Sequence, residues 1–402
     1  MKSSGHIPRP SYLDKVIPFV DKPLIKVFTG QRRSGKSYML LQTQDYVIQN
    51  FPNGNIIFVN KELPDYDAIK THTDLWEYAK SKKKEGVKSY IFIDEIQEIT
   101  GFEKALRGML ADGEYDIYCT GSNAQLLSGE LATLLAGRYV EIKVHTLSYT
   151  EFMNFYKLEN TSVSFTRYMM QGGMPFMIHL DDSDAVRQEY LRNVLNTILY
   201  KDIVQRFNVR NYSFLQNLMV FLADNMGSLV SANRISEYLK SQQLTVSTAT
   251  ILDYLYFLES SFLVHRVKRY DIVGRRIFEI NDKFYFEDLG LRHTLKPYDP
   301  AEVNKYIENL VYKHLSINGF VVYVGKIGDR EIDFIGTKGA EVIYVQVALT
   351  VSEPKTFERE FGNLLMIEDN HPKYVVSLDE YAAGNHQGIM HLNIRDFLLK
   401  EF

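Results

Sequence analysis

The chain is predicted to be α/β: a parallel sheet with helices on both faces, then a winged-helix unit, then a small second α/β unit. Three observations predict it. Between residues 24 and 143 short apolar runs alternate with longer helical stretches. Residues 213–280 read as three helices leading into two β-rich stretches, the order of a winged helix. Residues 301–402 open on a helix, pass through strand-like runs and close on a helix. A length of 402 residues accommodates two or three such units.

In the first unit the strand-like runs are LIKVFTG, NIIFVN, SYIFIDEIQ, YDIYCTGSN and RYVEIKV. Nearly continuous apolar runs separated by helices are what a sheet covered on both faces requires. Lys82, Lys83 and Lys84 read as a solvated helix end. We place this unit at 1–150 and a helical linker at 151–212, with a break at Gly172-Gly173-Met174-Pro175. The winged-helix unit follows at 213–295, with Ser247 as N-cap of its third helix. The last unit, 296–402, is expected to hold a sheet of three or four strands.

Composition excludes several classes. With 45% hydrophobic and 24% charged residues the chain is not disordered. Its 46 basic against 50 acidic residues leave a formal charge of −4, so any nucleic-acid or membrane attraction must be local. The single cysteine, Cys119, forms no intramolecular disulfide and reads as a buried thiol, and no Cys/His cluster has zinc spacing. The N-terminus lacks a signal-peptide core, and no apolar run approaches about 18 residues. The expectation is a cytoplasmic protein with no membrane partner.

The strongest motif is Gly30-Gln31-Arg32-Arg33-Ser34-Gly35-Lys36-Ser37, a complete GxxxxGK[ST] between a strand and a helix. Its backbone N–H groups, including those of Arg33 and Ser34, can turn around phosphate oxygens between Gly30 and Gly35. Lys36 reaches the β- and γ-phosphates and Ser37 ligates Mg²⁺. Ile91-Phe92-Ile93-Asp94-Glu95 is an apolar strand ending in two carboxylates. Asp94 suits the Mg²⁺ shell, and Glu95 suits the base that polarises an attacking water. The strand Tyr118–Asn123 ends in Ser122 and Asn123, which either touch the γ-phosphate or water, or merely cap the next helix. Arg138 is either a phosphate contact, in its own site or a neighbour's, or a surface arginine. A nucleoside triphosphate and Mg²⁺ are the implied ligands.

With these motifs, the chain resembles bacterial and archaeal AAA+-type P-loop ATPases fused to a C-terminal domain of unknown function related to restriction-endonuclease-like folds. FIDEIQ, TGSN, LLAGR running into HTLSYTEF, QGGMPFM, YLRNVLNTILYKDIV, YFED-LG and ENLVYKHL with EIDFI carry the resemblance over roughly 20–400. It implies a five-stranded sheet with the TGSN strand between the P-loop and FIDE strands. It also implies that the nucleotide is ATP, with ATP hydrolysis coupled to movement of the C-terminal parts.

In the second half, Arg266, Lys268, Arg269, Arg275 and Arg276 lie on the expected wing and could meet DNA phosphates; the competing reading is a solvated face or a protein contact. The last unit has the carboxylate spacing of a restriction-endonuclease-like fold, with Glu308 on its leading helix and Asp333 at its second strand. Where an active member supplies an acid, any residue and a lysine, this chain has Gln346-Val347-Ala348. No nuclease activity is expected. Two functions follow: an Mg-dependent ATPase that binds or remodels DNA, or a slow nucleotide-controlled switch that recruits a protein partner. Action of Arg138 in trans would need a homo-oligomer.

Overall fold

Five parallel strands form the sheet of the first unit in the computed structural model, which describes residues 7–124, 137–244, 246–278, 281–381 and 384–402. The elements run α1 (Pro10–Val16), β1 (Ile25–Thr29), α2 (Lys36–Asn50), β2 (Asn55–Asn60), α3 (His72–Lys82), β3 (Ser89–Asp94), α4 (Phe102–Asp112), β4 (Tyr115–Gly121) and β5 (Tyr139–Lys143). The strand order is β2-β3-β4-β1-β5, so β4, the TGSN strand, lies between β1 and β3 as the resemblance implies. Every residue of β1, β3 and β4 is buried. Such strands need helices on both faces. Leu75, Ala79, Leu106 and Met109 of α3 and α4 cover one face, against Ile57, Ile91 and Ile117. Tyr12 and Val16 of α1 and Met39, Leu40 and Val47 of α2 cover the other, against Phe28, Phe92 and Tyr118. Cys119 is buried in the first of these cores, and burial pushes its thiol up to about 12, which leaves it inert. This unit consists of the residues up to Thr146 together with Ser260–Phe262.

The second unit comprises Leu147–Glu259 and Leu263–Phe402. It begins with α5 (Tyr149–Tyr156), α6 (Ser162–Gln171) and α7 (Asp184–Thr197). Helix α5 starts at a capping box, in which Ser148 and Glu151 satisfy each other's backbone N–H groups. Helix α6 stops at Gly172, whose φ is +77° and whose added Cβ would lie 2.2 Å from Asp288 Oδ1. Next come α8 (Tyr212–Asp224), α9 (Ala232–Ser241) and α10 (Thr248–Ser260). Ser247 Oγ caps α10 by accepting the Thr250 N–H at 3.1 Å. The chain continues through β6 (Val264–Val267), β7 (Arg269–Asp271), β8 (Arg276–Ile277), β9 (Lys283–Phe286) and α11 (Leu289–Leu295). The remaining elements are α12 (Val303–Ile317), β10 (Val321–Ile327), β11 (Arg330–Lys338), β12 (Glu341–Val347), α13 (Pro354–Leu365), β13 (Lys373–Ser377), β14 (Gly384–His386), β15 (Ile389–Asn393) and α14 (Ile394–Leu399).

One expectation is corrected here. The C-terminal sheet has eight strands, in the order β14-β15-β13-β12-β11-β10-β7-β8, rather than three or four. Strands β6 and β9 pair antiparallel as a hairpin base, while β7, between them in sequence, pairs parallel with β10. The expected wing is therefore partly an edge of the C-terminal sheet. Strands of three and two residues carry no readable alternation, so the sequence pattern merges β7 and β8 with β6 and β9 into two longer β-rich stretches and does not reveal their separate pairing.

Candidate active site

Because β1, β3 and β4 are parallel neighbours, the chain leaves all three at one edge of the sheet. That edge gathers the motifs at 30–37, 94–95 and 120–123. Gly30 leaves β1 with φ +142°, and a Cβ there would fall 2.2 Å from the Val144 carbonyl oxygen, so only glycine fits. Gly35, at φ +101°, turns the chain into α2. Arg33, at φ +68°, is exposed and contributes its backbone turn to the loop. The Lys36 ammonium donates to the Gln31 carbonyl at 3.0 Å and so folds over the loop.

Ser37, in the first turn of α2, donates its hydroxyl to Asp94 Oδ1 at 3.0 Å. Thr120, from the adjacent β4, donates to the same oxygen at 2.5 Å and accepts the Glu95 N–H at 2.9 Å. Burial raises the Asp94 carboxyl above its ordinary range and the nearby Glu95 charge adds to this, against the hydrogen bonds from Thr120 and Ser37. Glu95 adopts φ +55°, a left-handed conformation costly for a side chain. Its carboxylate Oε2 accepts from Gln97 Nε2, which also lies 3.4 Å from Ser122 Oγ. Ser122 and Asn123 are both buried beside this cluster's strands.

The loop fits a phosphate ligand on two counts. Both polar atoms of the Gln31 side chain and the Ser34 hydroxyl are buried without a hydrogen-bond partner among the described residues. Such orphans in a native site call for a ligand. The N-terminal N–H groups of α2 and its dipole favour an anion at the same place. Ser37 and Asp94 could together hold one divalent cation. Among the described residues no group of three or more His, Cys, Asp or Glu side chains is arranged to do so alone, so the shell would be completed by phosphate and water.

Two predicted participants fare differently. Arg138 is exposed just before β5, and its carbonyl accepts the Ile25 N–H at the start of β1. It lies at the opposite sheet edge, about five residues or roughly 17 Å of strand from the loop, so its own subunit does not bring it to the phosphates. The helix expected after Asn123 and the LLA of LLAGR lie outside the described residues. The sequence motifs passed over Thr120, Gln97 and Arg9. Arg9 is buried, donates to the Ser34 carbonyl and the His145 carbonyl at 2.9 Å each, and stacks over Tyr12. Thr120 and Gln97 lie within TGSN and FIDEIQ, where position alone does not announce their bonds; Arg9 has no local signal.

Comparison with known proteins matches residues 22–153 to a family described as AAA domain and residues 162–302 to a domain of unknown function (DUF8612). An uncharacterized protein of Haemophilus influenzae is 37% identical over 404 residues, spanning 99% of this chain and 100% of that one. The chain belongs to the family of AAA-type P-loop ATPases fused to a domain of unknown function. An uncharacterized protein of Methanocaldococcus jannaschii is 28% identical over 358 residues, covering 84% of this AAA-type chain and 77% of its own. A solved Walker-type ATPase of Pyrococcus abyssi has the same fold, with a TM-score of 0.50 at 14% identity over 72% of this chain and 96% of that one.

The second unit of this AAA-type protein gathers the expected nuclease-like residues and adds one that sequence spacing missed. Glu308 on α12 and Asp333 on β11 face Lys283, which opens β9. Its ammonium lies 2.9 Å from Glu308 Oε1, 2.8 Å from Glu331 Oε1 and 3.6 Å from Asp333 Oδ1. Burial works against the charge, but the Glu308, Asp333 and Glu331 carboxylates outweigh it and hold Lys283 above the ordinary lysine range. Burial pushes Asp333 up to about 7, opposed by Lys283. Gln346 does not point at an open site. Its Oε1 accepts the Asp333 N–H at 2.6 Å and its Nε2 donates to Glu360 Oε2 at 2.8 Å.

The basic wing residues are only partly available. Arg266 is paired with Asp282 at 2.5 Å, and Arg269 and Arg276 stack over Phe278 at 5.3 and 5.8 Å. Lys268, Arg275 and Arg276 are exposed. Among the described residues no helix is long and apolar enough to cross a membrane.

Proposed function

We propose that the protein binds ATP with Mg²⁺ at the 30–37 loop and hydrolyses it to ADP and phosphate. The observation that carries this is the Ser37 hydroxyl set 3.0 Å from the Asp94 carboxylate, with Glu95 as the next residue. Gly30 to Ser37 would hold the phosphates, and Lys36 would swing from the Gln31 carbonyl to the β- and γ-phosphates. Ser37 and Asp94 would hold the Mg²⁺, whose charge offsets that of the phosphoryl oxygens. Glu95 would take the proton of the attacking water, while Ser122 and Asn123 would line the γ-phosphate side. Catalysis of this kind is positioning and electrostatics. Phosphate release should be measured at low salt with and without duplex and forked DNA, with Lys36→Ala and Glu95→Gln as controls. Lys36→Ala should lose nucleotide binding or turnover, and Glu95→Gln should bind but not turn over; wild-type turnover in Glu95→Gln removes the assigned base.

For the second unit, DNA contact through Lys268, Arg275 and Arg276 is one reading, with stimulation of turnover by DNA as its mark. The pairing of Arg266 with Asp282, and the wing strands' place in the sheet, favour the alternative of a nucleotide-controlled switch that recruits a protein partner. Slow turnover indifferent to DNA, with partner binding that differs between ATP and ADP states, marks that alternative. Nuclease activity is not proposed. Gln346 is committed to Asp333 and Glu360, and an ammonium fills the carboxylate cluster. Metal-dependent nicking of plasmid DNA that disappears in Asp333→Ala would overturn this. If Arg138 serves a phosphate, it does so in a neighbouring subunit of a homo-oligomer; its mutation would then reduce turnover only under assembling conditions.

A further inference from the structure

Gln97 sits on the single 3-10 turn Ile96–Glu98, directly after Glu95. The left-handed Glu95 backbone, held by its N–H bond to Thr120 Oγ1 at 2.9 Å, folds this turn back so that the Gln97 amide meets the Glu95 carboxylate. The same amide nitrogen lies 3.4 Å from Ser122 Oγ, on the neighbouring strand end. One amide thereby ties the base to the residue at the end of β4. Its other polar atom, Oε1, is buried with no hydrogen-bond partner among the described residues. A buried unpaired carbonyl is unfavourable, and its retention points to a partner that arrives with the ligand.

The chemistry of water attack supplies that partner. A nucleophilic water has two O–H groups. One proton goes to the base as the oxygen attacks phosphorus, and the other O–H needs an acceptor that fixes the oxygen lone pair toward the phosphoryl group. We propose that Gln97 is the water-positioning residue of this ATPase: its Nε2 holds Glu95 and its Oε1 accepts the second O–H of the attacking water. The proposal rests on the ATPase reading above. The proton balance is unchanged, since Glu95 takes the one proton transferred and Gln97 only accepts a hydrogen bond.

The test is steady-state phosphate release, together with binding of a fluorescent ATP analogue, for wild type, Gln97→Ala, Gln97→Met, Gln97→Glu and Glu95→Gln. Gln97→Ala and Gln97→Met should each lower kcat at least tenfold while leaving KM and analogue affinity within about twofold. A loss of fold or of the nucleotide site would move KM and analogue affinity together with kcat, so a fall confined to kcat is the mark of a residue that positions the water. Gln97→Glu keeps an acceptor for the water but loses the N–H donated to Glu95, and should also lower kcat with KM within about twofold. Gln97→Met guards against a folding failure of the shorter alanine. Wild-type kcat in both apolar variants, or a lower kcat matched by an equal loss of analogue affinity, overturns the proposal. If Glu95→Gln is inactive while those variants are wild type, only the role of Gln97 fails; if Glu95→Gln turns over normally, the ATPase assignment of the base fails first.

Discussion

Replacing Lys283 by methionine removes a cation from between three carboxylates without opening much of a hole. The lysine side chain is 4% exposed, and methionine replaces most of its aliphatic length. The cost is therefore electrostatic. Breaking a buried ion pair by removing one partner costs about 3–5 kcal/mol, because the remaining charge stays buried. A pH signature follows from Asp333, which titrates at about 7 in the folded protein, above its ordinary 3.8. A carboxyl raised on folding binds its proton more tightly in the folded state, so stability falls as pH rises from the ordinary value toward the folded one. Lys283 opposes that rise, and without it the Asp333 value climbs further. Below pH 7 Asp333 is protonated in both proteins, and its share of the deficit vanishes. Above pH 7 the deficit grows by about 1.4 kcal/mol per pH unit until the variant's own value is reached. Urea unfolding followed by circular dichroism at pH 6 and pH 8.5 reads this directly. Trp76, the only tryptophan, belongs to the first unit, so its fluorescence transition serves as an internal control that should not move. A Lys283→Met protein as stable as wild type, or equally weakened at both pH values, would refute the reading of this cluster as an ammonium-filled carboxylate site.

The other predictions concern the phosphate loop. Thr120→Val removes the hydroxyl that bonds both Asp94 and the Glu95 N–H, and should lower turnover at least tenfold while the protein still binds a fluorescent ATP analogue. Arg9→Ala releases the Ser34 and His145 carbonyls and should weaken analogue affinity at least fivefold, measured by equilibrium titration.

Much of the first unit was legible because its signals are local and repeated. Buried strands read as continuous apolar runs, and a GxxxxGK[ST] must follow a strand and open a helix to function, which is how residues 30–37 stand. The motif chemistry assigns Ser37, Asp94 and Glu95 to one nucleotide, and the ends of adjacent parallel strands fall at one edge, which brings them together. What stayed hidden even there was bonding that depends on one side chain's direction. In sequence Thr120 is only part of a polar strand end, yet its hydroxyl is the bridge between Asp94 and Glu95. Arg138 shows the converse: an arginine near a nucleotide domain's last strand precedes β5, and parallel pairing then sends it to the edge away from the loop.

The second unit resisted for a reason of chain separation rather than weak chemistry. Gln346 and Ala348 depart from the acid-x-lysine triplet, and reading along that strand alone leaves the cluster without a cation. Lys283 restores one from β9, 63 residues earlier in the chain, and Glu360 approaches from α13 through Gln346. Neither residue has a spacing rule that ties it to Asp333. An all-buried strand such as Lys283–Phe286 nevertheless carries a hint, since a fully buried lysine must be paired to stay charged. Where a buried strand contains one lysine, the carboxylates it needs are to be sought across the fold rather than within the motif. In this protein that search leads to Glu308, Glu331 and Asp333, and it finds the cluster's cation on β9 rather than on the strand that carries Gln346.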